Sequence, residues 1–149
     1  MKILTILLLS FSLMLCSACN ILAAKFETGE CPQERKTKKS PKIFYNLKNP
    51  LLKSVEHKIK GKLLYEKTAR PLQCILCHGI NGNGVGDPDF KSTPKSRNFT
   101  CKKTMTKISD GQLFWIIKNG SAGTSMPEYT DLNDKSIWQL IIYIREFSN

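Results

Sequence analysis

Residues 74–78 read Cys74-Ile75-Leu76-Cys77-His78, and no other feature restricts the chain so strongly. Two thiols separated by two residues, with an imidazole directly after them, suit thioether bonds to the two vinyl groups of a haem whose iron the imidazole binds. A zinc half-site would need a second pair of ligands at short spacing, yet the only other histidine is His57 and the remaining cysteines are scattered. A thioredoxin-like redox pair sits between a strand and a helix, whereas here a helical pattern precedes the motif and the glycine-rich run 79–86 follows it. The motif therefore points to one covalent haem c, anchored by Cys74 and Cys77, with His78 as the proximal ligand to iron.

The surrounding pattern is helical throughout. Ser54 is an N-cap for a helix ending near Thr68, with apolar positions Val55, Ile59, Leu63 and Leu64 at three- to four-residue spacing. Residues 133–147 form a second helix with Asn133 as its cap and Ile137, Leu140, Ile141 and Ile144 on one stripe. Between them Ser109 and Gln112 have capping-box spacing, opening a short helix that Asn119-Gly120 stops. Its Phe114 and Trp115 are core residues, one of which packs on a haem edge or bonds a propionate. No internal repeat and no convincing strand are present.

Gly61-Lys62-Leu63-Leu64-Tyr65-Glu66, Cys77-His78-Gly79-x-x-Gly82-x-Gly84, Met126-Pro127 and the closing Trp138-x-x-Ile141 segment with Tyr143-Ile144 together resemble class I, mitochondrial-type monohaem cytochrome c. The resemblance covers about residues 54–148. It implies an all-α, cytochrome c-like fold, with N- and C-terminal helices crossing and short helices and loops wrapped round one covalent haem. It also implies that the helices touch at Gly61, where an interior glycine otherwise costs about 1 kcal/mol relative to alanine. Tyr65, Trp138 and Tyr143 would then fill the seam.

The distal iron ligand decides the chemistry. Met126 lies in Gly123-Thr124-Ser125-Met126-Pro127, a tight loop between two helices, and thioether ligation favours ferrous iron and raises the potential. The competing ligand is Cys101, whose thiolate would lower the potential and suit a redox or gas sensor; Met105 and His57 are minor candidates. Cys101 alternatively pairs with Cys31, the one other thiol not used by the haem or removed with a leader. Gly79, Gly82, Gly84 and Gly86 permit turns close to the porphyrin. Residues 92–97 run under the propionate edge, where Arg97 can pair with a propionate or remain a solvated arginine.

Export follows from residues 1–24. Met1-Lys2, an apolar run over 3–15 and small residues up to Ala24 have the layout of a signal peptide, and 13 residues fall short of the roughly 20 that span a bilayer. A lipid-anchored form, cut before Cys19, is the alternative. Cleavage after Ala24 removes Lys2 and no acid, taking the formal charge from +11 to +10. Residues 25–50, with clustered lysines and Pro32, Pro41 and Pro50, read as an extended basic arm, and 51–149 as the haem domain.

The expected function is that of a periplasmic or otherwise exported cytochrome carrying one electron between redox partners, with no nucleic-acid target and no integral membrane span. A basic surface that includes Lys58, Lys60, Lys62, Lys67, Lys91 and Lys95 favours acidic partners. The alternatives are a haem-based sensor with Cys101 as distal ligand, or an electron-transfer subunit of a larger oxidoreductase complex. No paired carboxylates or nucleophile–base set argues for independent catalysis, so no enzyme activity is expected.

Overall fold

The computed structural model describes residues 29–33 and 37–149; the leader over 1–24, its cleavage site and residues 25–28 and 34–36 of the arm lie outside these residues. Among the described residues there are six α-helices and no strand: α1 (Lys42–Tyr45), α2 (Val55–Leu63), α3 (Cys74–His78), α4 (Lys102–Met105), α5 (Asp110–Asn119) and α6 (Asp134–Glu146). No helix among them is long and apolar enough to cross a membrane.

Helix α2 begins where the sequence signals it, with the Ser54 side chain accepting from the His57 N–H at 3.2 Å. Its last turn is wider than an α-turn: Leu64–Thr68 is π-helical and closes with the Ala69 N–H donating to the Leu64 carbonyl. Asn133 caps α6 in the same way, accepting from the Ser136 N–H at 2.9 Å. The two helices are in close contact at Gly61. A Cβ there would run into the Gln139 carbonyl oxygen and come within 2.9 Å of the Tyr143 Cβ, so only glycine permits this approach.

That contact also overturns one expectation about α2. Turning Gly61, Leu64 and Tyr65 toward the core leaves Val55, Ile59 and Leu63 facing outward, at 69%, 60% and 48% exposure. Of the apolar repeat read from the sequence, Val55, Ile59 and Leu63 are therefore on the solvent side of the helix and Leu64 alone packs on the core. Tyr65 is fully buried and meets Tyr143 edge-on, with ring centroids 5.4 Å apart. Trp138 does not join this seam but stacks on Phe114 at 4.4 Å, tying α6 to α5. Arg145 completes that corner by donating to the Met105 and Ile108 carbonyls and to Asp110.

The N-terminal arm, expected to be extended, is largely exposed and, apart from α1, without regular structure over its described residues, but it is fastened to the domain at several points. Pro41 precedes the single turn of α1 instead of breaking it, as expected for a residue whose missing N–H would go unbonded at a helix start. Phe44 stacks on Phe114, and Gln112 of α5 accepts from the Ser40 N–H at 2.8 Å while donating to the Lys38 carbonyl at 3.0 Å. The expected capping box is thus half formed. Ser109 accepts from the Gln112 N–H, but the glutamine side chain reaches for the arm and not back to its own cap. A disulfide between Cys31 and Cys101, with Cα atoms 5.4 Å apart, pins the front of the arm to the domain.

Candidate haem site

Helix α3 is the Cys-x-x-Cys-His motif itself, and side chains from distant segments hold both its ends. Tyr129 donates to the Leu72 carbonyl at 2.9 Å just before it, and Tyr65 to the Gly79 carbonyl at 2.7 Å just after it. Burial pushes both phenols well above the usual tyrosine range, so they stay protonated donors. Gly79 turns the chain out of the helix at φ +79°, where a Cβ would meet the Val85 carbonyl. The Gly84 N–H then closes back onto the His78 carbonyl at 3.0 Å.

Cys74, Cys77, His78 and Met126 all line one cavity of about 420 Å³. Its walls are largely apolar, with Leu113, Ile116 and Ile117 from α5, Leu140 and Ile144 from α6, and Phe99. The volume lies in the range of cofactor pockets. The His78 ring stacks on Phe99 at 4.3 Å, and its Nδ1 lies 3.0 Å from the Arg97 carbonyl oxygen. A carbonyl only accepts, so the proton sits on Nδ1 and the lone pair on Nε2, the arrangement a metal-binding imidazole requires.

The donor set fits a covalent haem: two thiols, one oriented imidazole and one thioether line a single, largely apolar pocket. The thiols do not fit the rival chemistries. Burial pushes the Cys74 thiol up to about 12 and raises that of Cys77 as well, opposite to the depressed thiol of a thioredoxin-type pair. Among the described residues no group of three or more His, Cys, Asp or Glu side chains comes together as a metal cage.

Met126 is held by its own loop. Its N–H donates to Thr124 Oγ1 and its carbonyl accepts from the Ser121 N–H, while Ser125 donates its N–H to the Thr93 carbonyl and accepts from the Thr93 N–H at its hydroxyl. Cys101 does not reach the cavity; its sulfur is bonded to Cys31, which removes the thiolate needed for the sensor alternative. Met105 is fully buried in the core, and His57 faces Gln139 at 3.1 Å across the α2–α6 contact; neither lines the cavity. Nor do Phe114 and Trp115, whose neighbours Leu113 and Ile116 take that place.

Arg97, expected near the propionate edge, lines the cavity together with Thr37 and Lys39 of the arm and Lys103 and Lys107 around α4, which the sequence did not connect with the site. Arg97 also donates from Nη2 to Thr37 Oγ1 at 3.0 Å. Tyr129 and the arm carry no local signal for this role: one is a lone aromatic in a loop, and the other is polar and basic like any exposed segment.

Over residues 58–144 the chain matches the family described as cytochrome c oxidase, cbb3-type, subunit III. It is also similar to a solved chain of the Kuenenia stuttgartiensis reducing HAO-like protein complex, with a TM-score of 0.55 and 26% identity. That likeness covers 67% of this chain and 47% of the other, so this chain spans about half the length of that neighbour. No curated protein matches it significantly. These likenesses are to redox proteins and not specifically to the mitochondrial-type cytochromes. The family match runs from α2 through α6, takes in Cys74, Cys77, His78 and Met126, and extends over more than half of the residues; the chain belongs to the cytochrome c oxidase, cbb3-type, subunit III family.

Proposed function

We propose that this chain carries single electrons through one covalently bound haem c, with Cys74 and Cys77 as anchors, His78 as proximal and Met126 as distal ligand. The observation that carries this reading is the single apolar cavity lined by all four side chains, with His78 already oriented by the Arg97 carbonyl. When bound, the haem supplies a ferric/ferrous couple whose potential thioether ligation raises. The chain's part is to orient the imidazole, present the Met126 sulfur, and surround the group with Leu113, Ile117, Leu140 and Ile144 so that water is excluded. With His78 and Met126 as its two protein ligands, a bound haem would have no place for a substrate, and on this reading the chain would not be an enzyme by itself.

The partners are acidic redox proteins. The lysines of α2 contribute less to steering than their number suggests, because Lys58, Lys60 and Lys62 lie beside Glu146, Glu56 and Glu66 in ion pairs of 3.6, 2.6 and 3.8 Å. Such exposed pairs stabilise little but cancel the field at a distance. Lys39, Lys103 and Lys107, at the rim of the cavity, stand where an approaching acidic surface would meet the haem. A second reading, an electron-transfer subunit held in a larger exported complex, is favoured by the family's description as an oxidase subunit and by the neighbour's place in a complex. Export to the periplasm rests on the leader alone.

Potentiometric titration of the purified protein tests the reading. One reversible wave with the slope of a single electron, accompanied by a low-spin spectrum with a thioether–iron band, is the expected result. Two or more waves, or a high-spin iron that binds and turns over a small substrate, would reject it.

A further inference from the structure

The hydrogen bond that orients His78 ends on a backbone carbonyl, and the structure places a buried side chain from the far end of the sequence against the same peptide. The Arg97 carbonyl belongs to the peptide unit whose N–H is that of Asn98. Gln33 Oε1 accepts from this N–H at 3.0 Å, and Gln33 Nε2 donates to the Ser96 carbonyl at 2.9 Å. Gln33 therefore grips the chain on both sides of Arg97, and it is buried, with 9% exposure. Its own N–H donates to Thr104 Oγ1 at 3.3 Å.

Gln33 is itself tethered. Two residues before it, Cys31 is bonded to Cys101, and the Gly29 carbonyl accepts from Asn98 Nδ2 at 3.0 Å. These contacts join residues more than 60 positions apart, so the short segment 29–33 is held in place by tertiary bonds at both ends.

We infer that Gln33 is a positioning residue for the proximal ligand: it pins and polarises the Arg97–Asn98 peptide, and so strengthens the Nδ1–H···O=C bond of His78. This rests on the haem reading above. A peptide unit is planar, so fixing its N–H fixes the direction of its carbonyl. Hydrogen bonds in a chain also polarise one another: an amide whose N–H is bonded offers a stronger acceptor at its oxygen. A stronger acceptor draws the Nδ1 proton, makes Nε2 more basic and stabilises ferric iron, as partners behind metal-binding histidines do. Gln33 thus holds the potential down, against the thioether that raises it.

The test uses the full holoprotein with Gln33→Met, which keeps length and apolar volume but loses both hydrogen bonds, and Gln33→Glu, which keeps the acceptor facing Asn98. Gln33→Met is expected to shift the ferric/ferrous equilibrium about tenfold toward ferrous, a rise of ~59 mV for one electron. Solvent exchange of the His78 Nδ1 proton and the Asn98 amide should quicken with it. Gln33→Glu should hold the potential at or below that of the native protein. Asn49→Ala serves as the comparison, because it removes a similar side-chain bond, Asn49 Nδ2 to the Trp138 carbonyl at 2.9 Å, away from the cavity. It should lower stability and leave the potential alone.

An unmoved potential in Gln33→Met, despite faster Asn98 exchange, would overturn the inference, and so would an equal shift in Asn49→Ala. Should Gln33→Met fail to accumulate, the double variant Cys31→Ser/Cys101→Ser keeps Gln33 but releases its tether. A smaller rise in the same direction supports the inference; no rise overturns it. In every variant the haem stays covalent and the axial spectrum stays thioether-like if the functional reading holds. Loss of those signatures from the native protein would remove that reading, a different outcome from an unmoved potential.

Discussion

Met126→Ala is expected to lower the reduction potential by on the order of 100 mV and to open the iron to carbon monoxide, which the native protein should exclude. The thioether is the soft donor of the set, and its removal withdraws the ligand that favours ferrous iron. The fold should survive, because the loop is fastened by bonds that do not involve the Met126 side chain: Thr124 to the Met126 N–H, Ser121 to its carbonyl, and Ser125 to Thr93. Potentiometry and the ferrous carbon monoxide spectrum check both halves. A variant that keeps its potential and still excludes carbon monoxide would remove Met126 from the iron.

Cys31→Ser/Cys101→Ser is expected to cost about 4 kcal/mol of stability, because the bond closes a loop with a sequence separation of 70 residues. The arm would lose its covalent anchor, and Gln33, two residues beyond Cys31, would hold its hydrogen bonds to the domain less firmly. Urea unfolding should show the midpoint moving down by most of that amount, with little change in the visible spectrum, since neither sulfur lines the cavity. An unchanged midpoint would mean that the arm detaches before the domain unfolds. A thiolate-type spectrum in the native protein that this variant abolishes would instead return Cys101 to the iron.

The elements that could be read from sequence are those fixed by local chemistry. Ser54, Ser109 and Asn133 each accept from the backbone N–H three residues on, and Gly61 lies at the helix contact that its cost inside a helix calls for. The haem motif was legible because its chemistry needs those residue types at that spacing. Orientation was not legible. Val55, Ile59 and Leu63 have helical spacing whichever face is buried, and the Gly61 contact turned the opposite face inward.

The arm's attachment to the domain was not legible for a related reason. Lysines and prolines describe its exposed side, but its order comes from Gln33, Ser40 and Cys31 meeting residues 63 to 72 positions away. Gln33, a polar residue between Pro32 and Glu34, gives no sign in sequence that both its amide atoms are spent on one backbone segment. The same holds for Tyr65 and Tyr129, whose hydroxyls hold the two ends of the haem motif. Sequence shows which groups can bind the iron; tertiary contacts decide how rigidly they are presented.

The most direct measurement is the intact mass of the purified protein under denaturing, acidic conditions, followed by fragmentation of the peptide that contains residues 74–78. One polypeptide carrying the added mass of one haem, localised to the segment between Cys74 and His78, is the result predicted here. A polypeptide of unmodified mass that surrenders its colour to acidified acetone would contradict it.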